Sequence, residues 1–123
     1  MSTVLRTSTL VVACCMLPCI AFAQDPAKVN DGMFTNTSGM TLYTFDKDAG
    51  DKSACSGACS NVWPPLSAAA DAKASGDWKI ISRDDGSKQW TYKGKPVYTY
   101  SKDSKAGDKN GEGVGGVWHV AKP

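Results

Sequence analysis

The sequence predicts an all-β fold, a small single domain of short antiparallel strands. Leu, Ile, Val and Phe number only 12 in residues 24–123, so the four Trp and four Tyr must supply much of the apolar area of the core. Twelve Gly and five Pro in the same segment indicate many turns. Several short segments alternate apolar and polar residues with period two, whereas no long segment has the periodicity of an amphipathic helix.

Residues 1–23 predict a secretory signal peptide. Arg6 is their only charge, an apolar stretch runs from Leu10 to Ile20, and Ala21-Phe22-Ala23 provides the small residues of a cleavage site. An apolar stretch of about 14 residues is too short to cross a bilayer, which needs roughly 20. We therefore expect cleavage after Ala23 and a periplasmic or secreted domain at residues 24–123 without a transmembrane segment.

Cysteine usage agrees with this compartment. Cys14, Cys15 and Cys19 leave with the signal peptide, and the two that remain are Cys55 and Cys59. An even pair in an oxidising compartment is expected to form a disulfide. A lipid anchor on Cys19 is the less favoured alternative, because the residue before it is Pro, where a lipidation signal has a small residue.

The charge balance gives no sign of a nucleic-acid or anionic-membrane partner. The whole chain carries a formal net charge of +2, and removal of Arg6 with the signal peptide leaves about +1. Basic and acidic residues are interspersed, so no basic cluster could release counterions from a polyanion. We expect a monomer whose partner is an envelope component or a small ligand.

The predicted strands combine aromatic or β-branched residues with turn-forming flanks: Met33–Thr35, Met40–Phe45, Trp78–Ser82, Gln89–Lys93, Pro96–Ser101 and Val117–Val120. The first two form a hairpin around a turn at residues 36–39. Residues 46–62 are predicted to form a polar loop. The two prolines of Trp63-Pro-Pro-Leu66 exclude a helix and pairing within a central strand. The Ala-rich residues 67–75 form one helical turn or a loose connection.

The chain contains an internal repeat. At one constant offset, Leu42–Asp48 aligns with Val97–Asp103, and Val62-Trp63 aligns with Val117-Trp118. Two units are too few for an open solenoid, which needs about three. We therefore expect one pseudo-symmetric domain with halves at about residues 32–66 and 78–120, in which each half contributes a strand, a polar loop and a core Trp.

Each half carries the pattern Tyr-x-aromatic-x-x-Asp, formed by Tyr43, Phe45 and Asp48 and then by Tyr98, Tyr100 and Asp103. The chain also contains Cys55-Ser-Gly-Ala-Cys59, Trp63-Pro-Pro-Leu66 and a closing Gly116-Val-Trp118. Together these elements resemble a family of bacterial secreted repeats of unknown function, predicted lipoproteins with a Yx(FWY)xxD motif. The resemblance spans about residues 32–120 and implies an exported repeat protein, but it implies no activity.

The motif has a structural and a functional interpretation. On a strand, the two aromatic residues of each motif face the same side, and the Asp lies just past the strand end. In the structural interpretation the aromatic residues form the core, and each Asp accepts backbone N–H groups that fix a loop. In the functional interpretation the aromatic residues and the two carboxylates grip a ligand. Since aliphatic residues are scarce, we expect most of the aromatic residues in the core.

No residue pattern typical of an enzyme occurs in the sequence. His119 is the only imidazole, and its place between Trp118 and Val120 predicts a strand residue that faces solvent or a polar partner. Neither a nucleophile elbow nor a phosphate-binding loop is present. Gly111-x-Gly113-x-x-Gly116 has the spacing of a dinucleotide fingerprint but lacks its βαβ context. We therefore predict an exported envelope protein that is not an enzyme, a binding or structural module of unknown ligand with neither a cofactor nor a metal.

Two alternatives remain open beside this binding or structural module. Cys55 and Cys59 could be a redox pair, although three intervening residues replace the two of thioredoxin-like motifs and favour a structural staple. The acidic loops could bind calcium through hard oxygen ligands. Their candidate ligands are Asp46, Asp48, Asp51, Asp103 and Asp108. The order of the EF-hand loop is not followed, since Asp51 and Gly57 stand where Gly and Glu are required.

Overall fold

The computed structural model describes residues 26–123, so the predicted signal peptide, its cleavage site and Cys19 lie outside the described residues. The strands are β1 (Ala27–Asn30), β2 (Met33–Asn36), β3 (Tyr43–Phe45), β4 (Trp78–Ser82), β5 (Lys88–Tyr92), β6 (Lys95–Tyr98) and β7 (Trp118–Val120). One short helix, α1 (Ala58–Val62), and one 3₁₀ turn, Val114–Gly116, complete the secondary structure. Within residues 26–123, no helix has the length and apolar character needed to cross a membrane.

The prediction of an all-β domain is confirmed. Five strands form an antiparallel sheet in the order β4-β5-β6-β3-β7, and β1 and β2 form a second antiparallel sheet of two strands. In the larger sheet, Tyr43 of β3 lies opposite Tyr98 of β6 on one side and Val120 of β7 on the other. The central strand of the first repeat is therefore held between two strands of the second.

Most predicted strands are present with shifted ends. β4 has the predicted bounds, and β2, β5, β6 and β7 differ from theirs by one to three residues at an end. The predicted strand Met40–Phe45 divides between the two sheets. Thr41 pairs with Thr35 of β2, whereas only Tyr43–Phe45 joins the larger sheet. The predicted hairpin thus closes, and its second strand continues into the larger sheet.

Two segments differ from the predictions, and a third matches one of its two predicted alternatives. β1 is absent from the predicted strands, because its four residues contain one large apolar side chain, Val29, and therefore no alternating pattern of large apolar residues. Val29 is 58% exposed, and only Ala27 of this strand is buried. The predicted polar loop contains α1, whose end is fixed by a 2.8 Å hydrogen bond from the Trp63 N–H to the carbonyl of Cys59. Residues 67–75 form the loose connection, which is one of the two alternatives predicted for them, with Ser67 bridged to Gln89.

The Trp63–Leu66 segment pairs with β6 in spite of its two prolines, which corrects the prediction. Pro65 lies opposite Tyr98, and the carbonyl of Pro64 accepts the N–H of Thr99 at 2.8 Å. Proline lacks only the donor, so a segment whose prolines accept hydrogen bonds can still line a strand. The segment lies against β6 as β7 lies against β3.

The backbone hydrogen bonds follow the internal repeat. The N–H of Leu66 donates to Val97, and at the equivalent positions of the other repeat the N–H of Ala121 donates to Leu42. The N–H of Asp46 likewise donates to Val117, as that of Ser101 donates to Val62. The two repeats are therefore related by a pseudo-twofold arrangement within one domain.

Apolar side chains cover both faces of the larger sheet. One cluster contains the three motif tyrosines together with five other buried residues: Met33, Tyr43, Cys55, Trp63, Tyr98, Tyr100, Trp118 and Val120. The other contains Ala27, Phe34, Leu42, Trp78, Trp90, Val97 and Ala121. Neighbouring residues such as Leu42 and Tyr43 belong to different clusters because successive side chains on a strand point to opposite faces.

Candidate functional site

Each motif tyrosine is bound by the aspartate of the other repeat. The Tyr43 hydroxyl donates a 2.6 Å hydrogen bond to Asp103, and the Tyr98 hydroxyl donates a 2.7 Å hydrogen bond to Asp48. The two tyrosines are completely buried and lie opposite each other across β3 and β6. Burial raises the pKa of both phenols well above the usual value, and the adjacent carboxylates contribute in the same direction. Both tyrosines are therefore neutral donors.

The second carboxylate oxygen of each aspartate fixes a loop. Oδ1 of Asp48 accepts the N–H of Ala54 at 2.6 Å, and Oδ1 of Asp103 accepts the N–H of Asn110 at 3.0 Å. These are the loop contacts that the structural interpretation of the motif predicts. Burial raises the pKa of the Asp48 carboxyl, although the hydrogen bonds from Ala54 and Tyr98 oppose this shift.

Four aromatic rings form a continuous stack between the repeats, in the order Phe45, Trp118, Trp63 and Tyr100. The successive centroid distances are 4.2, 3.8 and 4.0 Å, with interplanar angles of 19°, 4° and 20°. The two tryptophans come from different repeats and meet at the centre. Tyr98 packs edge-on against Trp118 at 5.2 Å, and Tyr43 packs edge-on against Trp63 at 5.4 Å. We call these six rings the aromatic cluster.

Gly111 is required by this packing. A Cβ at this position would lie 2.7 Å from an indole carbon of Trp63 and 2.8 Å from a ring carbon of Tyr43. Its N–H also donates to the Tyr43 hydroxyl at 3.3 Å. The glycine that superficially suggested a dinucleotide fingerprint therefore makes room for two rings of the core.

The aromatic cluster offers little surface to a ligand. Trp63 and Trp118 are each 4% exposed, and Tyr100 is 8% exposed. Phe45 is the most exposed of the four stacked rings, since it is only partly buried. These residues, with the two buried tyrosines, hold the repeats together. A ligand-binding site must therefore use side chains outside the aromatic cluster.

The predicted disulfide joins Cys55 to Cys59. Cys55 is completely buried within the cluster that contains Tyr98, and Cys59 is partly buried at the start of α1. The bridge closes a five-residue loop that begins directly after Ala54, and the N–H of Ala54 donates a hydrogen bond to Asp48. It therefore secures the loop on which the Asp48–Tyr98 contact depends.

A polar network that the sequence analysis did not predict lies beside Tyr98. The guanidinium of Arg83 donates to the side chains of Ser53 at 3.0 Å and Gln89 at 2.7 Å, and also to the carbonyl of Cys55. The hydroxyls of Ser53 and Tyr98 are 2.6 Å apart. Gln89 is completely buried. The sequence signal for this network was Gln89, a polar residue in a strand that also contains large apolar residues. The spacing of residues along the chain does not identify Arg83 as its partner.

Three of the five aspartates of the calcium hypothesis hold separate groups of the protein. Asp48 and Asp103 bind tyrosines of the core, and Asp108 accepts the N–H groups of Ser104 at 3.0 Å and Lys105 at 3.2 Å. Those hydrogen bonds lower the pKa of the Asp108 carboxyl. In the part of the chain that the structure describes, no three His, Cys, Asp or Glu side chains are grouped so that they could hold a metal ion.

His119 lies on the surface between two carboxylates. Its Nε2 is 2.8 Å from Oδ2 of Asp46, and its Nδ1 is 3.7 Å from Oε1 of Glu112. All three side chains are about half exposed, at 43% for His119, 54% for Asp46 and 51% for Glu112. The hydrogen bond with Asp46, followed by the charges of both carboxylates, raises the pKa of the imidazole. His119 thus faces a polar partner, as its strand position predicts.

The His119–Asp46 pair breaks the symmetry of the repeats. In the other repeat, the position equivalent to His119 is occupied by Pro64, and the position equivalent to Asp46 is occupied by Ser101. The backbone around both pairs follows the repeat, whereas the side chains do not. The pair is therefore not needed to build the common scaffold.

A polar groove of about 280 Å³ lies beside this pair on the opposite face of the sheet from the aromatic cluster. Its polar lining comes from Thr44, Asp46, Tyr92, Lys95, His119 and Lys122. We call this the β3–β7 groove. The volume is just below the roughly 300 Å³ at which small-molecule pockets begin. The sequence predicts His119 as a strand residue that faces solvent or a polar partner and Asp46 only as a candidate calcium ligand. It does not predict the groove or its lysines, since Lys95 lies in β6 and Lys122 follows β7.

A family model for a secreted repeat of unknown function matches the chain twice, at residues 26–67 and 79–122. No curated protein and no solved structure matches the chain. The description of the family as secreted supports an extracellular or envelope location. The two matches also coincide with the interlocked halves described above. The chain therefore belongs to the family of secreted repeats of unknown function.

Proposed function

We propose that this protein is an exported, non-enzymatic binding module that holds a small carboxylate-bearing ligand in the β3–β7 groove. The observation that carries the proposal is the His119–Asp46 pair, which is exposed and has no counterpart in the other repeat. Side chains that build the scaffold occur in symmetric positions, such as Tyr43 and Tyr98. Exposed side chains that break the symmetry are free to serve a ligand.

The charge of the groove supports an anionic ligand. Lys95 and Lys122 contribute two ammonium groups, and Asp46 contributes one carboxylate that shares a hydrogen bond with His119. The groove lining thus has two ammonium groups against one carboxylate, and protonation of His119 adds a further positive charge. The hydroxyl of Thr44 adds a polar group that can orient the ligand.

The absence of a nucleophile beside the imidazole in the described residues supports a binding role rather than catalysis. Both ring nitrogens of His119 face carboxylates, and neither faces a Ser, Thr or Cys hydroxyl or thiol within hydrogen-bond distance. Nucleophilic catalysis requires the base to contact its nucleophile. The exported family and the polar groove together favour a component of the cell envelope as the ligand.

The experiment is a nuclear magnetic resonance titration of the isotopically labelled exported protein with N-acetylmuramic acid. N-acetylglucosamine is the matched probe, since it lacks the lactyl carboxylate. We expect shifts at Thr44, Lys95, His119 and Lys122 with the first sugar and none with the second. Equal shifts with both sugars would contradict recognition of the carboxylate, and shifts confined to other surfaces would contradict the site.

A charge variant adds a quantitative test. Lys95→Gln should weaken binding of N-acetylmuramic acid by about two- to fivefold, because an exposed ion pair contributes up to about 1 kcal/mol. Lys73→Gln is the matched control, since Lys73 is exposed in the 67–75 connection away from the groove. Equal affinities of the two variants would show that Lys95 does not contact the ligand.

A further inference from the structure

The aromatic cluster combines two features that packing alone does not require. Its centre is a pair of nearly parallel indoles, Trp63 and Trp118, with centroids 3.8 Å apart. Each indole has a tyrosine edge against it, and each of these tyrosines has its hydroxyl on a carboxylate. The arrangement occurs twice, once on each side of the pseudo-twofold arrangement.

Stacked indoles are electron-rich and can share a positive charge between two rings. Among protein side chains, tryptophan and tyrosine are the aromatic groups most easily oxidised by one electron. An oxidised tyrosine is a very strong acid, so its oxidation is easiest where a base already accepts its hydroxyl proton. Asp103 accepts from Tyr43 at 2.6 Å, and Asp48 accepts from Tyr98 at 2.7 Å.

Burial makes this coupling more important. Tyr43 and Tyr98 are completely buried, and a charge created in an apolar interior without compensation is costly. Loss of one electron from the phenol, together with transfer of its proton to the adjacent carboxylate, converts an anion and a neutral phenol into a neutral acid and a neutral radical. Electron loss from the tyrosine therefore adds no uncompensated positive charge to the core.

We propose that the aromatic cluster is a site of one-electron oxidation, which gives the repeated Tyr-x-aromatic-x-x-Asp motif a chemical role beyond its structural one. A radical oxidant removes one electron from the Trp63–Trp118 pair and is itself reduced by one electron. Tyr43 or Tyr98 then returns an electron to the indole pair, while its O–H bond breaks and the proton passes to Asp103 or Asp48. The products are a neutral tyrosyl radical, a protonated aspartate and restored tryptophans.

Tyr92 provides an internal control within the same protein. Its ring contacts Trp78 with centroids 5.0 Å apart, which is closer than either tyrosine–tryptophan edge contact in the aromatic cluster. Among the described residues, however, its hydroxyl makes no hydrogen bond to a carboxylate. Tyr92 therefore has the neighbouring indole but not the proton acceptor.

The test is pulse radiolysis of the exported protein with azide radicals, which oxidise tryptophan, followed by the absorption of tryptophanyl and tyrosyl radicals. In the unaltered protein, we expect the tryptophanyl signal to decay as the tyrosyl signal appears. The double variant Tyr43→Phe/Tyr98→Phe should lose most of the tyrosyl signal and prolong the tryptophanyl signal about tenfold, equivalent to about 1.4 kcal/mol in barrier. Tyr92→Phe should leave both signals unchanged.

The carboxylates are tested by Asp48→Asn/Asp103→Asn, which keeps all six rings and should also prolong the tryptophanyl signal. If the Phe double variant does not fold, a comparison of the unaltered protein in water and heavy water replaces it, and the tyrosyl signal should appear more slowly in heavy water. A tyrosyl signal that disappears in Tyr92→Phe overturns the proposal. So does an identical rate of appearance in the two solvents.

Discussion

The hydroxyl of Tyr43 lies 2.6 Å from the carboxylate of Asp103, 60 residues further along the chain and in the other repeat. The reciprocal contact joins Tyr98 to Asp48. Each motif is thus completed by a residue of the other, so neither repeat contains a finished core of its own. This relationship makes the duplicated sequence one cooperative domain.

Removal of one of these hydroxyls should destabilise the whole domain. Tyr43→Phe leaves Oδ2 of the mostly buried Asp103 without its donor, and we expect a loss of about 1.5–3 kcal/mol, the range for hydrogen bonds to charged groups. Chemical denaturation should remain a single transition with a lower midpoint. Tyr92→Phe is the control and should change the free energy of unfolding by less than about 0.5 kcal/mol, because Tyr92 is partly exposed. Equal changes in the free energy of unfolding for the two variants would contradict a stabilising role of the Tyr43–Asp103 hydrogen bond.

The separated repeats should not fold. β3 of the first repeat lies between β6 and β7 of the second, so a fragment ending at residue 76 loses both neighbours of this strand. We expect fragments 24–76 and 77–123 to lack the near-ultraviolet circular dichroism of packed aromatic residues. An equimolar mixture should recover it, because the interface supplies what each fragment lacks. A folded spectrum for either fragment alone would contradict the interlocked arrangement.

Gly111→Ala should disturb the stack of aromatic rings. The new methyl group would lie 2.7 Å from Trp63, and accommodating it in a packed core should cost about 1–3 kcal/mol. We expect a changed tryptophan fluorescence spectrum together with a lower melting temperature. Gly76→Ala is the contrast, since its Cβ meets nothing within 4 Å and the cost there comes from a φ of +58°. That variant should lower stability without a change in the spectrum.

The stability contribution of His119 should be lost as the pH rises. Its hydrogen bond with Asp46 raises the folded-state pKa above the unfolded value of 6.5, so the protonated form is favoured by folding. The contribution is fully present below pH 6.5 and disappears as the pH rises through the folded-state pKa. A nuclear magnetic resonance titration of the imidazole should give a pKa above 6.5 that falls in Asp46→Asn. An imidazole pKa unaffected by Asp46→Asn would contradict the pairing.

Loss of the disulfide should destabilise the domain by about 2 kcal/mol, the value for a five-residue loop in the chain-entropy model. The change is Cys55→Ala/Cys59→Ala, measured by chemical denaturation. The effect should be larger for Cys55→Ala than for Cys59→Ala when both are compared in reducing conditions, because only Cys55 is completely buried. An unchanged midpoint for the double variant would mean that the loop is held without the bridge.

Much of the candidate site could not be predicted from the sequence, because it depends on contacts between residues that are far apart in the chain. The approach of Asp46 to His119, 73 residues apart, depends on the pairing of β3 with β7. The network of Arg83, Gln89 and Ser53 depends likewise on how a loop folds against the larger sheet. Local patterns report which face a residue occupies, but not which distant residue shares that face.

The all-β class, the duplicated motif, the disulfide pair and the aromatic composition of the core could all be predicted from the residues, because each depends on composition or on short-range spacing. Tertiary structure alone decided that the tyrosine of one repeat binds the aspartate of the other. A symmetric sequence is equally compatible with a tyrosine bound within its own repeat. Insertion of β3 between β6 and β7 removes that ambiguity, since it brings the end of each motif strand to the loop of the opposite repeat.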